Sequence, residues 1–235
     1  MVQHLDAGIP AGEAARLVLE GGEGPQAGTA WLPGLYEELR RSLDSFDEHG
    51  TQAALDTLIA SLSFDAVARD VILPYLRELG DRWQRGEASV AQEHFASIVL
   101  RGRLLALARG WDRGVGPRAL LACPPGEQHE LGLLVFGLVL RQHGWRITFL
   151  GADTPVDTLM STAQDLSPAA VVLIALTPEK LEPFREQLTK LAGSTRLLLG
   201  GTGAGRDFGT ATGADLLPAD PLEAATYVAG REPTA

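Results

Sequence analysis

This 235-residue chain has one cysteine, two methionines and fewer basic than acidic side chains, 20 against 30. The lone Cys123 excludes an internal disulfide and a cysteine-rich zinc site, and it fits a reducing compartment. A net charge of −10 lacks the clustered Lys and Arg that phosphate binding needs, so no direct nucleic-acid binding is expected of this chain. No apolar run approaches the roughly 18 residues that span a bilayer, and no basic segment leads into an apolar one at the N-terminus. Neither membrane insertion nor secretion is expected, and the chain reads as cytoplasmic. Hydrophobic residues make up 45% of the sequence, enough to bury a substantial core.

The chain changes character near Gly110–Gly116. Before it, helical periodicity dominates. Residues 11–20 read as a short helix and GGEGPQAGT as a linker, so residues 1–30 form an N-terminal helix and linker. Within 31–112, helices are expected over 35–46, 52–62, 64–83 and 90–108, the count and spacing of a four-helix bundle. Pro74 interrupts the third and predicts a kink or a shifted hydrogen bond. Over 117–235, strands RALLAC, RITFLG, AAVVLIAL, TRLLLGG and a short ADLLP alternate with helices near 129–143, 156–165 and 179–191. This alternation predicts an α/β fold with a doubly wound parallel sheet. Ligands of such sheets sit beyond the carboxyl ends of the strands, which directs attention to loops 123–131, 151–155, 175–178 and 200–205.

The first of these loops contains Glu127-x-His129-x-x-Gly132. A histidine there can coordinate a metal through one ring nitrogen while an acid two residues away fixes the other. Gly132 lets a bulky ligand approach the backbone. By itself a Glu-x-His in a loop is more often a solvated pair. The run Gly200-Gly201-Thr202-Gly203 leaves room for a flat group, but it lacks dinucleotide spacing and fits a plain glycine turn equally well. In the helical half, Trp83 closes one helix and Gly86 breaks the chain. Ser89-x-x-Gln92 is a capping-box start for the next helix, which puts Glu93 and His94 near Trp83. An aromatic plane beside a carboxylate and an imidazole suits a nucleoside. A core tryptophan beside a helix-start Glu is the commoner meaning of each feature alone.

Taken together, the His129 loop, LGADTP after the second strand and Gly200-Gly201 resemble the Rossmann-like (flavodoxin-like) cobalamin-binding domain over roughly 117–228. That resemblance implies His129 as the lower axial ligand of cobalt and Glu127 as its hydrogen-bonding partner. It also implies that Gly132, Gly200 and Gly201 line the cofactor's nucleotide arm. The segment LPYLRELGDRWQRGEASVAQEH resembles the helical cap of the CarH/LitR-type photoreceptors, whose mark is Trp, nine intervening residues, then Glu-His. Trp83, Glu93 and His94 match it and would surround the 5′-deoxyadenosyl group. The implied protein is a light-responsive adenosylcobalamin sensor in which cobalt–carbon photolysis changes domain packing or homo-oligomeric state, with a downstream signalling partner and no catalytic residue. The residues HLDAGIPAGEAARLVLE resemble the tail of a MerR-type DNA-binding domain, although no helix-turn-helix is recognisable.

This sequence departs from the family pattern in two other places. Gln84 follows Trp83 where a histidine that captures cobalt stands in the best-known member, and Thr177 stands near a Ser-x-Leu that bonds the buried base in many relatives. Two further readings stay open: a corrinoid methyl carrier serving methyltransferases, and a cobalamin photosensor that also holds a bilin. Elsewhere, His4, His49 and His143 read as surface residues, Trp31, Trp111 and Trp145 as packing or linker residues, and Asp44–Glu48 as a solvated helix end. Arg40, Arg41, Arg101 and Arg103 are candidate subunit contacts.

Overall fold

A computed structural model of the chain describes residues 31–231. The expected helix over 11–20, the linker after it and His4 lie outside the described residues. Four helical rods come first: α1 (Leu32–Asp44), α2 (Glu48–Ser61), a compound third rod and α5 (Val90–Leu107). The third rod runs as α3 (Phe64–Val67), a π-helical turn (Ala68–Ile72) and α4 (Leu73–Gln84). Pro74 explains the turn. It has no N–H to give, and in the displaced ladder the Leu73 amide reaches five residues back to the Ala68 carbonyl.

The acidic stretch between α1 and α2 is more ordered than a solvated helix end. Asp47 accepts the Gly50 amide as the N-cap of α2, and Asp44 pairs with Arg82 at 3.1 Å. Ser89 and Gln92 form a complete capping box that starts α5, and Gly86 turns the chain before it at φ +72°.

After a short linker the chain enters the sheet: β1 (Arg118–Ala122), α6 (Leu131–Gln142), β2 (Arg146–Gly151), α7 (Val156–Leu166), β3 (Ala170–Ile174), α8 (Arg185–Ala192), β4 (Leu197–Gly200), α9 (Arg206–Thr212), β5 (Asp215–Leu216) and α10 (Pro221–Ala229). All pairings are parallel and the order is β2-β1-β3-β4-β5, the flavodoxin-like arrangement. Three local expectations change. The third strand ends at Ile174, because the Ala175 carbonyl and the Leu176 amide bond to neighbouring loops. The helix expected from 179 begins as two 3₁₀ turns, since Pro178 and Pro183 cannot donate, and becomes α-helical only at Arg185. Helices α9 and α10 go beyond the expected elements, although Asp220 caps α10 and Pro221 opens it.

Alternation along the strands divides the core. Ala119, Leu121, Val172 and Leu198 face α6 and α10, beyond which the same apolar cluster continues into the bundle through Leu100 and Leu104 of α5. Leu120, Val171, Leu173 and Leu199 face α7, α8 and α9. The bundle is therefore docked on one helical layer of the sheet domain by a shared core. Each fully buried leucine in it is worth about 2 kcal/mol of transfer free energy before chain entropy is charged. Trp145 is buried, and Trp111 packs against Phe149 with ring centroids 5.5 Å apart, so both serve packing. Trp31 lies at the start of α1 and is partly exposed; His49 and His143 are exposed. Among the described residues, no helix is long and apolar enough to cross a membrane.

Candidate functional site

The loop between β1 and α6 is built around one buried carboxylate. Glu127 is 2% exposed. Its Oε1 lies 2.5 Å from His129 Nδ1 and accepts the His129 amide at 3.0 Å, while Oε2 accepts the Leu176 amide at 2.9 Å. Burial pushes this carboxyl upward, but the amides of Leu176 and His129 and the imidazole outweigh it and hold the group below the usual carboxylate range. The His129 side chain, by contrast, is 71% exposed. With Nδ1 engaged by the acid, the hydrogen bond assigns the proton to Nδ1 and leaves the Nε2 lone pair facing outward.

Neighbouring loops hold this arrangement. The Asp153 amide donates to the Glu127 carbonyl at 3.0 Å, and the Asp153 carboxylate accepts the Gly126 amide at 2.6 Å. Lys180 Nζ donates to the Gly126 carbonyl at 2.8 Å. The loops after β1, β2 and β3 thus meet at Glu127.

Gly132 sits in the first turn of α6, where an added Cβ would make only an ordinary contact, 3.9 Å from Pro221. Gly200 and Gly201 have a different local duty. A Cβ on Gly201, which has φ +79°, would stand 2.2 Å from the Ala175 carbonyl oxygen, and one on Gly200 would meet the Ile174 side chain. Their missing side chains admit the 174–177 segment directly. Thr202 completes the seam by donating its hydroxyl to the Leu176 carbonyl at 2.6 Å. Thr177 is in this corner too. Glu179's own amide and then the Thr177 hydroxyl hold the Glu179 carboxyl below its ordinary range.

The second group of candidates flanks the junction of α4 and α5, with Trp83 near the end of α4 and Glu93 and His94 near the start of α5. Trp83 is half-exposed, as befits an indole at a helix end with no core to enter. Glu93 Oε2 stands 3.5 Å from His94 Nε2, and Glu93 Oε1 accepts the Ser97 hydroxyl at 2.7 Å. Gln84 is the last residue of α4 and is exposed. The capping box sets where α5 begins, and so sets the position of Glu93 and His94.

Two residues that the sequence did not single out for this role connect α5 to the His129 loop. Arg101, lower on α5, donates to Glu130, the residue after His129, and Glu130 in turn accepts the Ala152 amide at 2.7 Å. The i+7 spacing from His94 puts Arg101 on the same face of α5, but nothing in the sequence pairs it with Glu130. Of the other candidate arginines, Arg103 pairs with Asp56 and Arg40 with Glu37, both within the chain.

Chemically, the outward Nε2 of His129 is a single, oriented nitrogen donor. No group of three His, Cys, Asp or Glu side chains able to hold a metal ion exists among the described residues. One nitrogen cannot retain a bare ion, but it suits a metal that arrives already held by a macrocycle. The residues present therefore fit a cobalt corrinoid.

Comparison with known proteins agrees. Two family models, each described as a B12 binding domain, match residues 35–108 and 117–230. The HTH-type transcriptional repressor CarA of Myxococcus xanthus is 36% identical over 72% of this chain and 59% of its own length. The HTH-type transcriptional repressor CarH of the same organism is 32% identical over 79% of this chain and 66% of its own length. The chain thus spans about three fifths to two thirds of these relatives. A Methanosarcina barkeri monomethylamine corrinoid protein shares the fold, with TM-score 0.71 at 17% identity, over 84% of this chain and 98% of that one. With its helical region and its sheet domain each matching such a model, the chain belongs to the B12-binding family.

Proposed function

We propose that this chain is a light-responsive adenosylcobalamin-binding regulator, with His129 as the lower cobalt ligand and Trp83, Glu93 and His94 around the adenosyl group. When bound, the cofactor supplies a cobalt–carbon bond that light can break. The protein's own residues do the rest. Glu127 holds the His129 tautomer and orients Nε2, and Trp83 offers a half-exposed plane for stacking. Glu93 and His94 offer an acceptor and a polar ring for a ribose. Gly132, Gly200, Gly201 and Thr177 border the proposed path of the nucleotide arm. The output is a change in domain packing or oligomeric state passed to a downstream partner, because a ligand that favours one packing of bundle and sheet releases it on departure.

The Glu127–His129 pair carries the cobalamin assignment: a buried acid fixing one nitrogen of an exposed imidazole. The similarity to proteins named as transcriptional repressors supports regulation as the output. A methyl carrier needs its upper face open to partner active sites, and the Trp83–His94 element has no use there.

The deciding experiment reconstitutes the protein with adenosylcobalamin and with methylcobalamin, and records absorbance spectra and size-exclusion profiles in darkness and after green light. Binding of adenosylcobalamin with a light-dependent change in elution is expected. If neither cobalamin binds, the assignment falls; if only methylcobalamin binds and light leaves the assembly unchanged, the methyl-carrier reading replaces it.

A further inference from the structure

Glu130 is the second buried acid of the site, and besides its own amide's bond to the Gln128 carbonyl it has three attachments. It directly follows His129 and is 5% exposed. Its Oε1 accepts Arg101 Nε from α5, and its Oε2 accepts the Ala152 amide from the loop after β2. Its carbonyl accepts the Leu134 amide in the first turn of α6. The Ala152 loop returns to the histidine by a second route, since the Asp153 amide bonds the Glu127 carbonyl and Glu127 holds the His129 ring. A carboxylate fixed by a backbone amide on one side cannot rotate freely when its other oxygen is pulled. A displacement of Arg101 is therefore passed to the loop that carries His129.

At the other end of the same helix face is His94, seven residues earlier and roughly 10 Å away along the axis. His94 and Arg101 lie two turns apart on one unbroken α-helix of 18 residues, so a shift of α5 that begins at Glu93 and His94 also moves Arg101. The Arg101 side chain is 49% exposed and the Glu130 side chain 7%, so the arginine reaches in from the rim, and its departure leaves a buried carboxylate held by the Ala152 amide.

We propose that Arg101 and Glu130 form a positioning latch that couples the seating of the helical bundle to the placement of the His129 imidazole. Through it, what occupies the space beside Glu93 and His94 changes how firmly the loop holds a cobalt at His129. The latch rests on the cobalamin reading above. Neither residue is a ligand; both act through His129.

The test compares the native protein with Arg101→Met, Arg101→Lys and Glu130→Gln, the last of which keeps an acceptor for Ala152. In the cofactor-free protein, hydrogen exchange at the Ala152 amide should quicken about tenfold in Arg101→Met and recover in part in Arg101→Lys. Adenosylcobalamin should bind Arg101→Met about tenfold more weakly, and the absorbance of imidazole-ligated cobalt should diminish. In a His129→Ala background the same substitution should change affinity by less than about twofold, because the coupling is gone. Equal losses with and without His129 would show a merely structural contact and overturn the latch. So would unaltered exchange and spectra in both Arg101→Met and Glu130→Gln. A native protein that binds no cobalamin overturns the parent reading and the latch with it, whereas a native protein that binds while the variants are unmoved overturns the latch alone.

Discussion

Glu127 Oε1 lies 2.5 Å from His129 Nδ1, while its second oxygen takes the Leu176 amide at 2.9 Å. One buried carboxylate thus orients an imidazole on its own loop and secures the end of β3 across the sheet. The two duties predict two separable losses. Glu127→Ala leaves the part-buried Leu176 amide without its acceptor and should cost about 1 kcal/mol in urea denaturation of the cofactor-free protein. It should also weaken binding of hydroxocobalamin by about 10–100-fold, the usual range for losing the partner of a metal-ligating histidine. Glu127→Gln can still accept from Leu176 and should recover most of the stability but little of the binding. Parallel recovery of both would show that the acid does not act through the imidazole.

Two glycines of the site should respond in opposite ways. Gly201 has φ +79°, and an added Cβ would stand 2.2 Å from a backbone oxygen, so Gly201→Ala should lower stability by about 1–3 kcal/mol and shift the Tm accordingly. Gly132 is helical with only Pro221 at ordinary contact distance. Gly132→Ala should leave folding unharmed or raise stability by up to about 1 kcal/mol, and any loss should appear only in cobalamin titration. Thermal melts of both cofactor-free variants decide this. A stable Gly201→Ala would contradict the close approach of the two loops.

The contrast shows what was legible in the residues. Glu127-x-His129 was readable because its chemistry is local, with partners two positions apart, and the capping box at Ser89 was readable for the same reason. The parallel, doubly wound character of the sheet followed from the alternation of strands and helices. The Arg101–Glu130 contact was not readable, since it exists only because α5 docks on the sheet domain, and nothing at 101 or 130 encodes that docking. Gly200-Gly201 read equally as space for a flat group or as a plain glycine turn; the structure places the chain's own 174–177 segment against them. Asp44 looked solvated because its partner Arg82 is 38 residues away.

Trp83 offers a test of the adenosyl assignment that does not disturb the fold. The indole is half-exposed at the end of α4, so Trp83→Ala should change stability by no more than about 0.5 kcal/mol. If it forms the wall beside the adenosyl group, its removal should weaken adenosylcobalamin binding by about tenfold while methylcobalamin binding stays within about twofold, as expected for one lost stacking contact of 0.5–1.5 kcal/mol. Equal losses for the two cofactors would place Trp83 against the corrin instead. A large drop in stability would make it a core residue.

Cys123, at the end of β1, predicts an alkaline limit. The thiol is fully buried; burial, with help from Glu127 and Glu130, pushes it up from an ordinary value of 9.0 to about 12. The folded state then keeps its proton between pH 9 and 12 while the unfolded state loses it. The unfolded chain binds fewer protons in that window, so stability is full below pH 9 and falls as pH rises, by at most about 1.4 kcal/mol per unit from this group. Tyr36 and Tyr75, both also raised by burial, add slope of the same sign at higher pH. Urea denaturation of the cofactor-free protein at pH 8, 9 and 10 should therefore show a declining midpoint that is measurably flatter in Cys123→Ala. The native thiol should resist alkylation at pH 8 until urea opens the fold. Rapid labelling without denaturant, or identical slopes for the two proteins, would mean that Cys123 is more open to water than its position at the end of β1 allows.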